Sequence, residues 1–272
     1  MSDQPRSNRR WLDRVRGLRD RATREREGVC YVEGIRQVLS AQEGGHRLEA
    51  VLVDPVRLKS EVAWQAVTAA RAAGAEYVAL TTREFERISS RDNPVGIAAI
   101  VSWAVGDLDS LTAVPDGLYL IADDVRDPGN LGTLIRTLDA AGGQAVVVLA
   151  GTDPSHPNAL RASLGTTFRV PVYRAASHEE LFVWTAQHGV TTIATSAKSD
   201  HGLWQMPVRF PAAVLVGNEG DGLAAETVAR CDLPVAIPML GTATSLNVSV
   251  AAGVVLYEVR RKALGSSAIS SS

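Results

Sequence analysis

"IPMLGTATSLNVSVAAGVVLYEVRRKAL", residues 237–264, is the stretch whose reading decides how this chain folds. It leaves an apolar strand, crosses a loop of small residues, and enters a long apolar run whose first turn carries Ser245, Asn247 and Ser249. A helix start leaves backbone N–H groups free, and Ser or Asn side chains satisfy them. The same polar start, preceded by small residues, also suits the wall of a small-molecule site. There the free amides attract a carboxylate or another partly negative group. Capping and ligand binding both fit this stretch alone, so the residues around it have to decide.

Upstream, apolar strands read at 118–123, 145–150, 191–197, 212–217 and 233–238, with helices between them at 131–142, 158–166, 178–188 and 222–230. A last helix begins near Ser245. Short apolar strands alternating with helices predict a parallel sheet covered on both faces. Ligands of such sheets collect in loops at the carboxyl ends of the strands. Three of those loops are rich in Gly, Asn, Ser and Thr: "DVRDPGNLGTLIRTLDAAG" (124–142), "NEGDGL" (218–223) and "MLGTATSLNVS" (239–249).

Nearer the N-terminus, "VCYVEG", "LEAVLVD", "EYVAL" and "VGIAAIVSW" read as strands, with helices through "IRQVLSAQEG", "SEVAWQAVTAARAAG" and "TREFERISS", the last capped by Thr82. This predicts a compact α/β domain over 29–103, followed by a Gly/Pro/Asp-rich linker, 104–117. The α/β series that carries the three loops then spans 118–264. The tail "GSSAISSS", 265–272, is of low complexity and is expected to be disordered.

Residues 1–28 form a basic arm, in which nine arginines face five acids around Trp11. Clustered arginine beside an aromatic suits nucleic-acid phosphates and unstacked bases. A solvated helix with Arg–acid pairs at helical spacing explains the segment equally well. The whole chain of 272 residues has 46% hydrophobic and 21% charged residues and a net charge of −2, the composition of a soluble globular protein. Residues 1–28 have basic residues but no apolar core, so they are not expected to be a secretory signal, and no run approaches the roughly 18 apolar residues a membrane span needs. Cys30 and Cys231 are far apart, which predicts two inert thiols in a reduced cytoplasmic protein, with no disulfide and no metal site.

Taken singly, each candidate residue has an ordinary explanation. Asn130 can simply cap a helix starting at Leu131. Arg136 lies about 140° from Leu131 on the helical wheel, away from the apolar stripe of Leu131, Leu134, Ile135 and Leu138, and can be a surface arginine. "LVGNEGDGL" lacks the order of a dinucleotide fingerprint, and no phosphate-loop motif occurs. Its glycines let backbone approach a ligand closely. The convergence of all three loops on one sheet edge is what no single ordinary explanation covers.

These motifs together resemble the SpoU/TrmH family of RNA ribose 2′-O-methyltransferases, in the SPOUT superfamily. The match is carried by "NLGTLIRTLDAAG" with Asn130 and Arg136, "LVGNEGDGL" with Glu219, and "IPMLGTATSLNVSVAAG" with Ser245 and Asn247. Residues 29–103, with "YVEGIRQV" and "NPVGIAAIV", are similar to the RNA-binding domain many members carry. The resemblance implies a parallel-sheet domain with a deep trefoil knot, a fold that topology rules disfavour by default. It also implies S-adenosylmethionine as cofactor and a homodimer with the active site beside the subunit junction.

By that resemblance, cofactor contacts fall on Gly217, Ile237 and Leu246, with Thr195, Asn218 and Met239 as neighbours, and the catalytic group comprises Arg136, Asn130, Glu219, Ser245 and Asn247. The resemblance makes Arg136 the residue that assists deprotonation of the ribose hydroxyl. Because a free guanidinium titrates above about 12, the reading preferred on chemical grounds is that it binds the RNA phosphate and stabilises the developing alkoxide, with the proton acceptor left open. Val248, Ala251, Ala252 and Val255 would form the dimer face. Ribosomal RNA is the expected substrate, with transfer RNA as the alternative. The competing readings are a non-catalytic RNA-binding protein on the same scaffold and a nucleotide-dependent enzyme of the doubly wound class.

Overall fold

The computed structural model describes residues 4–268 and divides into two compact units, one of Met1–Ala104 with Ser155–Arg169 and one of Val105–Pro154 with Val170–Ser272. In chain order the first unit holds α1 (Gln4–Gly17), α2 (Arg21–Glu27), β1 (Val29–Glu33), α3 (Ile35–Glu43), β2 (Leu48–Val53), α4 (Glu61–Ala72), β3 (Glu76–Ala79), α5 (Thr82–Ile88) and β4 (Ile97–Ser102). Its four strands pair in the order β1-β4-β2-β3, antiparallel except for β2 with β3. Thr81, not Thr82, caps α5, in a reciprocal box with Glu84. Thr81 stands three residues before Glu84, which is the spacing such a box needs.

The basic arm is part of this unit's core. Trp11 is 2% exposed and packs with Leu12, Val15 and Leu18 against Leu52, Phe85 and Ile100. Its indole N–H donates to Glu76 at 2.7 Å. Burying one such side chain contributes about 1.5–3 kcal/mol, so the apolar face of α1 is what fixes the helix. The buried Arg24 guanidinium donates to the carbonyls of Leu18 and Arg19 and to the Ser155 hydroxyl. The outward arginines largely meet acids at helical spacing, as in Arg16–Asp13 and Arg21–Glu25.

The chain continues through β5 (Gly106–Asp107), β6 (Leu118–Ala122), α6 (Pro128–Ala140), β7 (Ala145–Val148), α7 (Pro157–Ala162), β8 (Val172–Arg174), α8 (His178–Gln187), β9 (Thr191–Thr195), β10 (Ala212–Val216), α9 (Ala225–Arg230), β11 (Leu233–Val235) and α10 (Val248–Ala268). Seven strands form one wholly parallel sheet in the order β11-β9-β10-β6-β7-β8-β5. Tyr119, Ile121, Val147, Leu181, Trp184, Ala194, Ala213 and Leu215 fill the core on one face.

Three expectations change here. The stretch read as a linker supplies β5 and is tied into the second unit: Val114 N–H donates to the Tyr119 hydroxyl, and the Trp184 indole donates to the Leu111 carbonyl. The excursion 155–169, with α7, belongs to the first unit although the sequence around it builds the second. The tail expected to be disordered from Gly265 is helical through Ala268, and 269–272 lie outside the described residues. Both cysteines are free and buried, and burial pushes the Cys231 thiol up to about 12. Among the described residues, no helix is long and apolar enough to cross a membrane.

Two of the four residues expected at the dimer face of the last helix, Ala252 and Val255, are instead buried within the chain. Ala252, Val255, Leu256 and Val259 are buried, whereas Val250, Tyr257 and Leu264 form the exposed apolar stripe. A helix that is apolar nearly all round gives no directional signal, so its neighbours decide which face is covered. The covering neighbour is α6. Tyr257 and Arg260 donate to the carbonyls of Ala140, Ala141 and Gly142, at and just past the end of α6, where intrahelical partners run out.

Candidate active site

The strand order places β6 beside β10. The chain leaves β6 toward β7 and β8 on one side of the sheet, and β9 to β11 fill the other side. Loops diverge at such a reversal and leave a crevice at the carboxyl ends of the strands. Here those loops are 123–127 and 217–223.

Glu219 joins them. Its carboxylate accepts from the Asn130 side-chain amide at 2.9 Å and from the backbone N–H groups of Asp127 at 3.1 Å and Arg126 at 3.2 Å. Burial pushes this carboxyl up, but the hydrogen bonds from Asn130, Arg126 and Asp127 outweigh it and hold the group below the ordinary glutamate range. It is a fixed anion and a poor proton acceptor at neutral pH.

Because the Asn130 amide nitrogen points at Glu219, its Oδ1 is left to accept from the Asn247 side chain, at 3.0 Å. Asn247 Oδ1 in turn accepts the Ser249 N–H at 2.9 Å, and the Ser249 hydroxyl donates to the Asn130 carbonyl at 3.1 Å. Asn247 therefore caps α10, which begins at Val248, and also ties that helix to α6. The polar first turn of the final helix serves both purposes at once. The cap of α6 is Asp127, whose carboxylate accepts the Asn130 N–H at 2.7 Å, with Pro128 at the first helical position. Asn130 lies inside the first turn, not at the cap, and Pro right after Asp was the signal for that start.

Beside this chain lies a cavity of about 710 Å³. Thr195, Gly217, Asn218, Ile237, Met239 and Leu246 all line it, as do Glu219 and Ser245. Gly217 sits where a Cβ would fall 2.1 Å from the Gly222 carbonyl carbon, so only glycine lets the two ends of that loop touch. Asn218 Oδ1 holds the turn by accepting the N–H groups of Gly220 and Asp221. Asn130 and Asn247 do not line it.

Arg136 is exposed, does not line the cavity, and has no hydrogen bond or ion pair among the described residues. It is six residues beyond Asn130 on α6, about 9 Å along the axis and 240° around it. Within one chain the structure does not bring it to Glu219.

Sequence reasoning missed the loop 196–201, whose Ser196, Lys198, Ser199, Asp200 and His201 form the far wall. It carries no run of glycines. It enters the site because β9 pairs between β11 and β10.

The SpoU rRNA Methylase family matches residues 117–257, and the MRM3-like substrate binding domain matches 12–99. The chain is 31% identical over 245 residues to the 23S rRNA (guanosine(2553)-2′-O)-methyltransferase RlmP of Bacillus subtilis, covering 89% of this chain and 93% of that protein. It is 30% identical to the 23S rRNA (uridine(2479)-2′-O)-methyltransferase of Streptomyces viridochromogenes, over 90% of this chain and 87% of the relative. Among solved structures, the SpoU methyltransferase AviRb from Streptomyces viridochromogenes in complex with AdoMet superposes with a TM-score of 0.85 at 29% identity, covering 93% of this chain and 97% of that one.

Proposed function

Since the chain belongs to the SpoU rRNA methylase family, we propose that it is an S-adenosylmethionine-dependent methyltransferase that modifies a ribose 2′-hydroxyl of ribosomal RNA, in the cytoplasm. The observation that carries this reading is the cavity walled by Gly217, Ile237 and Leu246, braced by the Glu219–Asn130–Asn247 chain. Its volume falls in the range of small-molecule sites. Asp200, Glu219 and Asp221 line it against one cation, Lys198, and this acidic excess suits a sulfonium. The residues present therefore fit S-adenosylmethionine, which supplies an electrophilic methyl group when bound.

The residues of the chain then divide the remaining tasks. Thr195, Gly217, Asn218, Ile237, Met239 and Leu246 hold the cofactor, with backbone groups exposed by the small side chains. Ser245 shapes the floor. Glu219, Asn130 and Asn247 act by positioning: their polar atoms are already engaged with one another, which keeps the second and third loops in register. Holding two reactants in line supplies much of the rate in such a transfer. Arg136 binds an RNA phosphate and stabilises charge developing on the ribose oxygen. A guanidinium titrates far above neutrality, so it serves as a cation and not as a base.

Arg136 lies off the cavity of its own chain, and the stripe of Val250, Tyr257 and Leu264 is exposed. Both fit a homodimer joined across α10, with the active site beside the junction. The same reading threads the segment after β11 through the loop before β10 as a trefoil knot. In its support, Gly202 and Ala236 form a parallel bridge where the two segments run side by side.

The test is methyl transfer. Full-length protein with tritium-labelled S-adenosylmethionine and rRNA from a strain lacking the gene should yield a 2′-O-methylated nucleoside after digestion. Label on tRNA alone would move the substrate. Binding of cofactor and RNA without any transfer would favour the non-catalytic reading.

A further inference from the structure

Arg126 belongs to the turn that follows β6, and its backbone N–H is one of the three donors to Glu219. Its side chain leaves that hub and lies at the surface, 68% exposed. There Nε and Nη2 both donate to a single oxygen of Asp124, at 3.0 and 2.6 Å. A guanidinium has five N–H donors. Two are engaged, and the other three have no partner among the described residues.

Asp124 holds this arrangement at a conformational cost. Its φ is +54°, and it is one of two non-glycine residues with positive φ among the described residues. Side chains disfavour that region, and strain of this kind gathers at functional sites. The same Asp124 oxygen is 3.5 Å from the Asn218 side-chain amide, and Asn218 lines the cavity. Arg126 itself does not line it. The guanidinium is thus fixed on the outer rim, one turn from the methyl-transfer hub, with its free edge toward solvent.

Taken as resting on the methyltransferase reading above, the geometry points to Arg126 as a phosphate-binding residue for the RNA strand entering the site, with Asp124 as the residue that positions it. The chemistry of the rim supports this. A phosphodiester approaching the hub meets Asp124, Glu219 and Asp221, and Arg126 is the cation of the turn 123–127. Those same acids raise the Arg126 pKa further, Asp124 foremost, so the charge persists at every working pH. A planar fork with one edge already anchored suits a two-oxygen contact with phosphate.

The test uses full-length protein, rRNA from a strain lacking the gene, and S-adenosylmethionine. Arg126→Ala should weaken RNA binding about tenfold and flatten the dependence of log affinity on log salt by about one unit, as loss of one phosphate contact does. The loss should fall on KM for RNA and leave S-adenosylmethionine affinity at the wild-type value. Arg126→Lys should keep the salt slope. Asp124→Asn, which tolerates the same backbone conformation, should raise KM while keeping that slope, because the cation stays but is no longer held. A wild-type slope and RNA affinity in Arg126→Ala would overturn the assignment, and so would a parallel loss of cofactor affinity. Wild-type protein that binds this RNA yet transfers no methyl group would instead overturn the methyltransferase reading, a result distinct from either.

Discussion

Glu219 and Asn130 are 89 residues apart in sequence, and their side chains meet at 2.9 Å. That bond sets which way the Asn130 amide faces, and so lets its oxygen meet Asn247. Two loops and the start of the final helix are locked by one amide orientation.

Glu219→Gln should break the lock. Three donors converge on the carboxylate, and a glutamine would turn its own NH₂ toward one of them. A donor left unsatisfied costs about 1–3 kcal/mol, and cofactor affinity should fall with it. The pH dependence has a definite sign. The folded-state pKa of Glu219 lies below its ordinary value, so its contribution to stability is present at neutral pH and is lost as pH falls through the depressed value. Urea midpoints at neutral and acid pH should therefore converge more in the Gln variant than in the wild type.

Asn130→Ala and Asn247→Ala should each destabilise, the second by about 1 kcal/mol from the helix cap alone. Because the two side chains share a bond, the double variant should lose less than the sum, with a coupling of about 0.5–3 kcal/mol in a double-mutant cycle. Strict additivity would mean that the 3.0 Å contact carries no energy.

The parts of this fold that were legible in the sequence are those where local pattern and tertiary role agree. Apolar runs such as "LYLIA" and "AAVLV" are central strands buried on both faces, so composition alone marks them. β8 escaped because it is three residues long and follows Pro171. The cap of α6 was misplaced by three residues although Asp127-Pro128 signalled it. The loop 196–201 was missed because its membership in the site depends on strand order, which no single segment encodes. The inward face of α10 could not be read for the same reason: what covers it is α6, over 100 residues away.

The arginine-rich arm gives a stability prediction. Trp11→Ala removes a side chain that is 2% exposed together with its bond to Glu76. The cost should be about 3–5 kcal/mol, seen as a large drop in the thermal midpoint without RNA present. A variant that melts like the wild type but binds RNA poorly would return the arm to a purely nucleic-acid role.

Arg136→Ala should leave the unfolding free energy within about 0.5 kcal/mol of wild type, as expected for an exposed side chain without partners among the described residues. Methyl transfer should fall at least about a hundredfold, the usual loss when a group stabilising transition-state charge is removed. Arg136→Lys with full activity and normal RNA affinity would contradict the role given to the planar fork.

Calorimetric titration of the full-length protein with S-adenosylmethionine decides whether the cavity beside Glu219 is the cofactor site. Wild type should bind one S-adenosylmethionine per chain. Gly217→Ala, whose added Cβ would lie 2.1 Å from the Gly222 backbone, should fold but bind at least tenfold more weakly. No heat of binding with wild type, or equal affinity in the two proteins, would contradict the account.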